Sequence, residues 1–209
     1  GALVVNNFDL SGSYSQATLQ AGGAVTFSGG VSTFANALTV TTTSTVTFSV
    51  GLTVTSGALS VTADSGCSAT GLLTVSDGAT VQTSAGALTL QSADISIGTT
   101  SGAVTAAGGL LTLTTCGSVD MDVGGTGTGS GAYKLVAAEL NRVTGNTGLT
   151  VTGSSGRAVV VEAVAGTDTD QVTGAITLGA PGGTGTLTFS GASTWAGLTA
   201  SACKLPISR

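Results

Sequence analysis

The sequence predicts an all-β chain, wound as a single-stranded parallel β-solenoid (β-helix) with about three short strands per coil of roughly 21–24 residues. Three observations predict it. Apolar-polar-apolar triplets such as Leu52-Thr-Val54, Leu59-Ser-Val61, Leu73-Thr-Val75 and Ala79-Thr-Val81 recur along the chain. Each is a strand stub with two residues in and one out. The triplets alternate with Gly, Ser, Asp and Asn punctuation, and Gly alone numbers 34 while Pro numbers 2. Finally, the triplets repeat at a fixed interval: Val25 to Val46, Leu38 to Leu59 and Leu52 to Leu73 are each 21 residues apart. A single triplet buries too little to stand alone, whereas stacked coils bury a continuous core. An antiparallel β-sandwich built from hairpins is the rival architecture, because triplet strands with Gly turns suit it too.

Residues 1–23 differ from the middle. Ala2-Leu-Val-Val5 is a short apolar strand ended by Asn6-Asn7, so this segment either caps the first coil or is donated to a neighbouring molecule. Leu3, Val4 and Val5 are its candidate interface residues. The solenoid proper is expected over 24–203, with 204–209 as a tail in which Pro206 stops strand pairing. Its triplets begin at Val25-Thr-Phe27 and continue through Leu88-Thr-Leu90, Ile95-Ser-Ile97, Leu111-Thr-Leu113 and Val119-Asp-Met121. Here the interval widens to 23 for Leu88 to Leu111 and 24 for Ile95 to Val119.

Gly124 to Gly131 breaks the rhythm. It lacks the aspartates of a calcium-binding nonapeptide repeat and the Gly-Lys-Ser/Thr of a phosphate loop, so it reads as a corner or surface loop. Val136, Leu140 and Val143 then stand at i, i+4 and i+7, predicting one short helical turn near 135–143, with Glu139 and Arg142 placed to pair. Triplets resume at Leu149-Thr-Val151 and run on through Ile176-Thr-Leu178 and Leu187-Thr-Phe189. The sole tryptophan, Trp195, suits a cap or a subunit contact as well as a core position.

Gly182-Gly-Thr-Gly-Thr-Leu-Thr-Phe-Ser-Gly-Ala-Ser-Thr-Trp-Ala-Gly-Leu-Thr199 resembles the autotransporter-associated β-strand repeat. Trp195 stands where that repeat has an aromatic, and Ser193 replaces its usual Asn. Leu88 to Ile97 and Ala137 to Val143 are similar to segments of filamentous-haemagglutinin-like surface proteins. The resemblance implies a right-handed parallel β-helix of an exported protein, displayed on or shed from a cell surface. It touches roughly half the chain, at the level of repeats, and carries over no catalytic residue. The three cysteines are a departure from it.

Composition narrows function further. Charged residues make up 7% of the chain, net charge is −5, and only five residues are Lys or Arg. No basic patch exists, so nucleic acid is not an expected partner. No apolar run reaches the ~18 residues of a membrane helix, so membrane insertion is not expected. The chain has no His, which removes the commonest general base and metal ligand. No cofactor or metal is expected, and a serine triad is excluded. No signal peptide is visible; a secreted protein would have had it removed.

Cys67, Cys116 and Cys203 lack zinc spacing. In an oxidising compartment they make one disulfide and one leftover that links to another molecule; the other reading is three small buried hydrophobes.

The one enzyme-like pair is Asp120 and Asp122, at i, i+2 and expected on one outward, solvated strand face. Asp168 and Asp170 lie in a Gly/Thr loop that suits weak calcium or plain solvation. Thr-x-Thr pairs (Thr39 with Thr41, Thr53 with Thr55) suggest a threonine grid like the ice-binding face of some β-solenoids, but Leu59-Ser-Val61 and Leu88-Thr-Leu90 are expected to interrupt it. The expectation is therefore not an enzyme but an extracellular or cell-surface structural subunit, assembling head-to-tail with itself. The alternative is an adhesin binding glycan or a host surface through Tyr14, Tyr133 and Trp195. A polysaccharide-active enzyme using the two aspartates ranks below both.

Overall fold

The structure is a computed structural model that describes residues 1–202 apart from Thr99, Thr128, Ser130 and Ala196. Its first fifteen strands fall into five sets of three. These are β1 (Leu3–Asn6), β2 (Asp9–Leu10) and β3 (Gln16–Ala21); β4 (Val25–Ser28), β5 (Ser32–Phe34) and β6 (Ala37–Thr42); β7 (Val46–Phe48), β8 (Leu52–Val54) and β9 (Leu59–Thr62); β10 (Leu72–Val75), β11 (Thr80–Thr83) and β12 (Leu88–Ser92); and β13 (Asp94–Ile97), β14 (Ala103–Ala106) and β15 (Leu111–Thr115). The remainder are β16 (Met121–Val123), β17 (Tyr133–Leu135), α1 (Ala137–Leu140), β18 (Val143–Gly145), β19 (Gly148–Thr152), β20 (Ala158–Val161), β21 (Ala175–Ala180), β22 (Thr186–Phe189) and β23 (Leu198–Ala202).

Three sheets take the first fifteen strands in strict rotation. The first sheet is ordered β1-β4-β7-β10-β13, the second β2-β5-β8-β11-β14-β18, and the third β3-β6-β9-β12-β15-β19-β21-β23. A fourth runs β17-β16-β20-β22. Every strand pairing among the described residues is parallel, so the antiparallel sandwich is not the architecture.

Register follows the triplets. Val25 lies beside Val46, Leu38 beside Leu59 and Leu88 beside Leu111, at the 21- and 23-residue steps expected. Like residues therefore stack on like. Phe27 and Phe48 stack with centroids 4.9 Å apart, and Phe34 meets Phe8 at 5.5 Å. Leu38, Leu59, Leu88, Leu111 and Leu149 form a continuous buried ladder. Burying each such side chain contributes about 1.5–3 kcal/mol. Threonines that turn inward at corners are satisfied locally, as where the Thr83 hydroxyl donates to the Gly86 carbonyl at 2.7 Å.

Two expected neighbours are not neighbours. Leu52 pairs with Val81 and Leu73 with Val46, so the 21-residue interval between them joins two different sheets. The corner after β9, residues 63–71, is longer than earlier corners and shifts the count. Ile95 and Val119 fail for a similar reason: Val119 lies outside the strands, and β17 is what packs against β13.

That exchange is the main irregularity of the chain. β16 comes first in sequence, yet β17 lies between it and the first sheet. The chain steps one strand ahead, turns back through the glycine run, and fills the position it skipped. The expected helix is correspondingly shorter. Tyr133 and Leu135 point inward from a strand, Val143 begins another, and only Ala137–Leu140 is helical. Alternation with period two outcompetes the i, i+4, i+7 pattern because both ends of the stretch gain strand partners.

Candidate functional site

The long corner after β9 carries the disulfide. Asp64 stands in the left-handed region (φ 61°), as do Cys67 (φ 52°) and Ala69 (φ 65°). Asp64 organises this turn. Its Oδ1 accepts the Ser68 N–H at 2.9 Å and the Ser68 hydroxyl at 2.6 Å, and its Oδ2 accepts the Thr70 N–H at 3.1 Å. Burial raises the Asp64 carboxyl, but these bonds, with a further one from Gly71, outweigh it and hold the group below its ordinary value. The turn delivers Cys67 to Cys116, with Cα atoms 4.9 Å apart across 49 residues of sequence. Cys116 follows β15 and Cys67 follows β9, so the bond spans the intervening β12 and ties alternate strands of the third sheet. Cys116 is buried and Cys67 exposed. Cys203 lies outside the described residues.

The aspartate pair is not a solvated couple. Asp122 is 1% exposed, because the returning glycine run lies over it. Its Oδ2 accepts the Gly131 N–H at 2.8 Å. A Cβ at Gly129 would fall 2.3 Å from that oxygen, and one at Gly131 would fall 2.8 Å from the carboxyl carbon. Gly124, Gly125 and Gly127 all have positive φ, so the run also needs glycine to reverse. Asp120 lies apart. Its Oδ1 faces the Arg157 Nε at 3.3 Å and accepts the Ala158 N–H at 3.0 Å. Arg157 is distant in sequence and comes close because β20 pairs with β16. Asp168 caps a 3₁₀ turn (Gly166–Asp168) by accepting the Ala165 N–H at 2.7 Å. Asp170 is exposed. No group of three or more metal-ligating side chains occurs among the described residues.

Carboxylates also join the first sheet to the fourth. Asp94 Oδ1 accepts the Lys134 N–H at 2.8 Å, and Glu139 accepts the N–H groups of Ile97 at 2.9 Å and Val136 at 3.1 Å. Glu139 thus serves backbone rather than the expected pairing with Arg142 alone, whose Nη1 donates to the Ile97 carbonyl at 3.3 Å. Burial pushes both carboxyls above their ordinary values, against those same bonds. It pushes the fully buried Tyr133 phenol far up as well, helped by the two nearby negative charges.

The expected interface residues lie near the two ends of the strand array. Leu3, Val4 and Val5 belong to β1, an edge strand that among the described residues pairs only with β4. Val4 is 63% exposed, and with Phe8 and Leu19 the three line an open apolar hollow of about 380 Å³. Trp195 is half-buried against the core, its indole N–H without a partner among the described residues. Tyr133 is in the core and Tyr14 is bonded to Asn36, whose backbone N–H donates to the phenol oxygen at 3.0 Å. The three aromatics named for a glycan face therefore do not share one.

The outer face of the third sheet is more regular than the sequence suggests. One outward column runs Thr18, Thr39, Ser60, Thr89, Thr112, Thr150, Thr177, Thr199, one residue per strand. Two residues further along each strand a second runs Gln20, Thr41, Thr62, Gln91, Thr114, Thr152, Gly179, Ser201. Ser60 and Thr89 are members of the first column, while the second is interrupted at Gln20, Gln91 and Gly179. Thr53, named from sequence, belongs instead to the second sheet.

Comparison of the chain with family models, curated proteins and solved structures finds no match. The Cys67–Cys116 bond fits an oxidising, extracellular setting. Among the described residues no helix is long and apolar enough to cross a membrane.

Proposed function

We propose that this chain is a β-solenoid of the filamentous-haemagglutinin-like kind and serves as a structural segment of an extracellular filament or surface appendage. One observation carries the reading. Strands β1 to β15 rotate through three sheets with inward residues stacked on inward residues, so each added set of strands presents the same edges as the last. Such an array binds a further set by backbone pairing and apolar stacking, and a heterologous contact of that type does not close. The edge strands β1, β2 and β3, with the hollow behind Leu3 and Val5, form one mating surface, and the β23 side of the third sheet forms the other. Low charge keeps repulsion between stacked units small.

Electron microscopy of the purified chain tests this. Uniform filaments whose fibre diffraction shows a strand repeat of ~4.8 Å along the axis are expected. Discrete single particles at every concentration would overturn the reading.

A further inference from the structure

End-to-end stacking uses the sheet edges and leaves the outer face of the third sheet free. We infer that this face binds ice.

The geometry is that of a two-column mesh that carries hydroxyls at every position except Gln20, Gln91 and Gly179. Strands lie ~4.8 Å apart and alternate residues on one strand ~6.7 Å apart, so the two columns make a rectangular mesh. That mesh is close to the oxygen spacing on a prism plane of hexagonal ice. Across seven strand steps it extends about 34 Å. Threonine supplies a hydroxyl to bond a lattice oxygen and a methyl to sit between them, and its branched Cβ holds χ1 in few rotamers. The mesh is thus set before it meets its partner, which lowers the ordering cost of binding.

Further observations fit this face to that role. Among the described residues the hydroxyls of Thr41, Thr62, Thr89, Thr112, Thr150 and Thr177 make no hydrogen bond to protein, so they are available to water. No charged residue stands in either column. The first sheet's outward column, Val4, Thr26, Thr47, Thr74 and Ser96, is uncharged but shorter, and the second sheet's column begins with a charge, Asp9 beside Thr33. A charge organises its own hydration shell and would break an ice-like layer. The irregular segments fall elsewhere too. The disulfide corner and the 3₁₀ turn lie between strands of different sheets and the glycine run between two strands of the fourth, and the third sheet keeps its register across all of them. The Cys67–Cys116 bond links the corner after β9 to the residue after β15, near the middle of the sheet. A crystalline polysaccharide is the competing flat partner, but such surfaces are gripped by planar aromatics, and neither column contains one.

The test uses the full chain in two assays, retention in slowly grown ice and inhibition of ice recrystallisation. Thr112→Tyr and Thr150→Tyr place a bulky ring at the middle of the mesh; Thr47→Tyr and Thr105→Tyr place the same ring on the outward columns of the first and second sheets. Circular dichroism and a thermal melt establish that each variant folds. Wild type and the two control variants are expected in the ice fraction, while Thr112→Tyr and Thr150→Tyr fold but are excluded from it. Three results would each overturn the inference: folded wild type excluded from ice, equal loss in the controls, or wild type that binds crystalline cellulose or chitin and ignores ice. Ice retention by single particles separates this outcome from that of the filament reading.

Discussion

Asp64 and Asp122 show how far a single side chain departs from its sequence description. Both are aspartates among small polar residues, and both are buried under their own loops. Asp64 is held ionised by four donors. Its folded value is lowered, so its contribution to stability is present above the unfolded value of about 3.9 and is lost as pH falls through the lowered folded value. Asp64→Asn keeps the left-handed backbone, which Asn tolerates, and removes the charge. It is expected to cost about 2 kcal/mol in urea unfolding at pH 7 and to lose much of that difference in strong acid. Glu139 and Asp94 act with the opposite sign: their raised folded values make the folded chain gain stability as pH drops from those values toward ~4. At Gly131, a substitution to Ala is expected to cost about 1–3 kcal/mol through overpacking against Asp122. Repeating it in an Asp122→Ala background is expected to cost less, and a double-mutant cycle measured by thermal melts checks the coupling. None of this burial was legible in the sequence. The cover over Asp122 is the glycine run, which reads as a plain loop until β17 is known to fall behind β16.

At the scale of elements, the strands were legible and their partners only partly so. The triplets in all three sheets have one composition, because each needs two inward apolar residues and one outward polar one. Spacing therefore identified neighbours where corners were of equal length, as for Val25 and Val46, and paired Leu52 with the wrong sheet once residues 63–71 lengthened a corner. The same degeneracy hid the grid, since Leu-Ser-Val at 59–61 looked like an interruption and proved to be the third sheet itself. The disulfide corner explains why that lengthening is tolerated. Closing a loop of 49 residues is worth about 4 kcal/mol on the chain-entropy account. Cys67→Ser is expected to lower the urea midpoint by a corresponding amount, and reductant is expected to do the same to the wild type while leaving the variant unmoved.

On the proposed solenoid reading the molecule is a stack of similar layers held together by parallel strand pairing. Such arrays loosen from their ends inward, because a terminal layer is held on one side only. One covalent link changes that behaviour. Pulled lengthwise, the strands outside the Cys67–Cys116 bond can peel away in turn, but the front must stop there. The chain inside the link, a sequence separation of 49, holds back roughly 160 Å of extensible length, an inner spool that force alone cannot pay out while the two sulfurs remain joined.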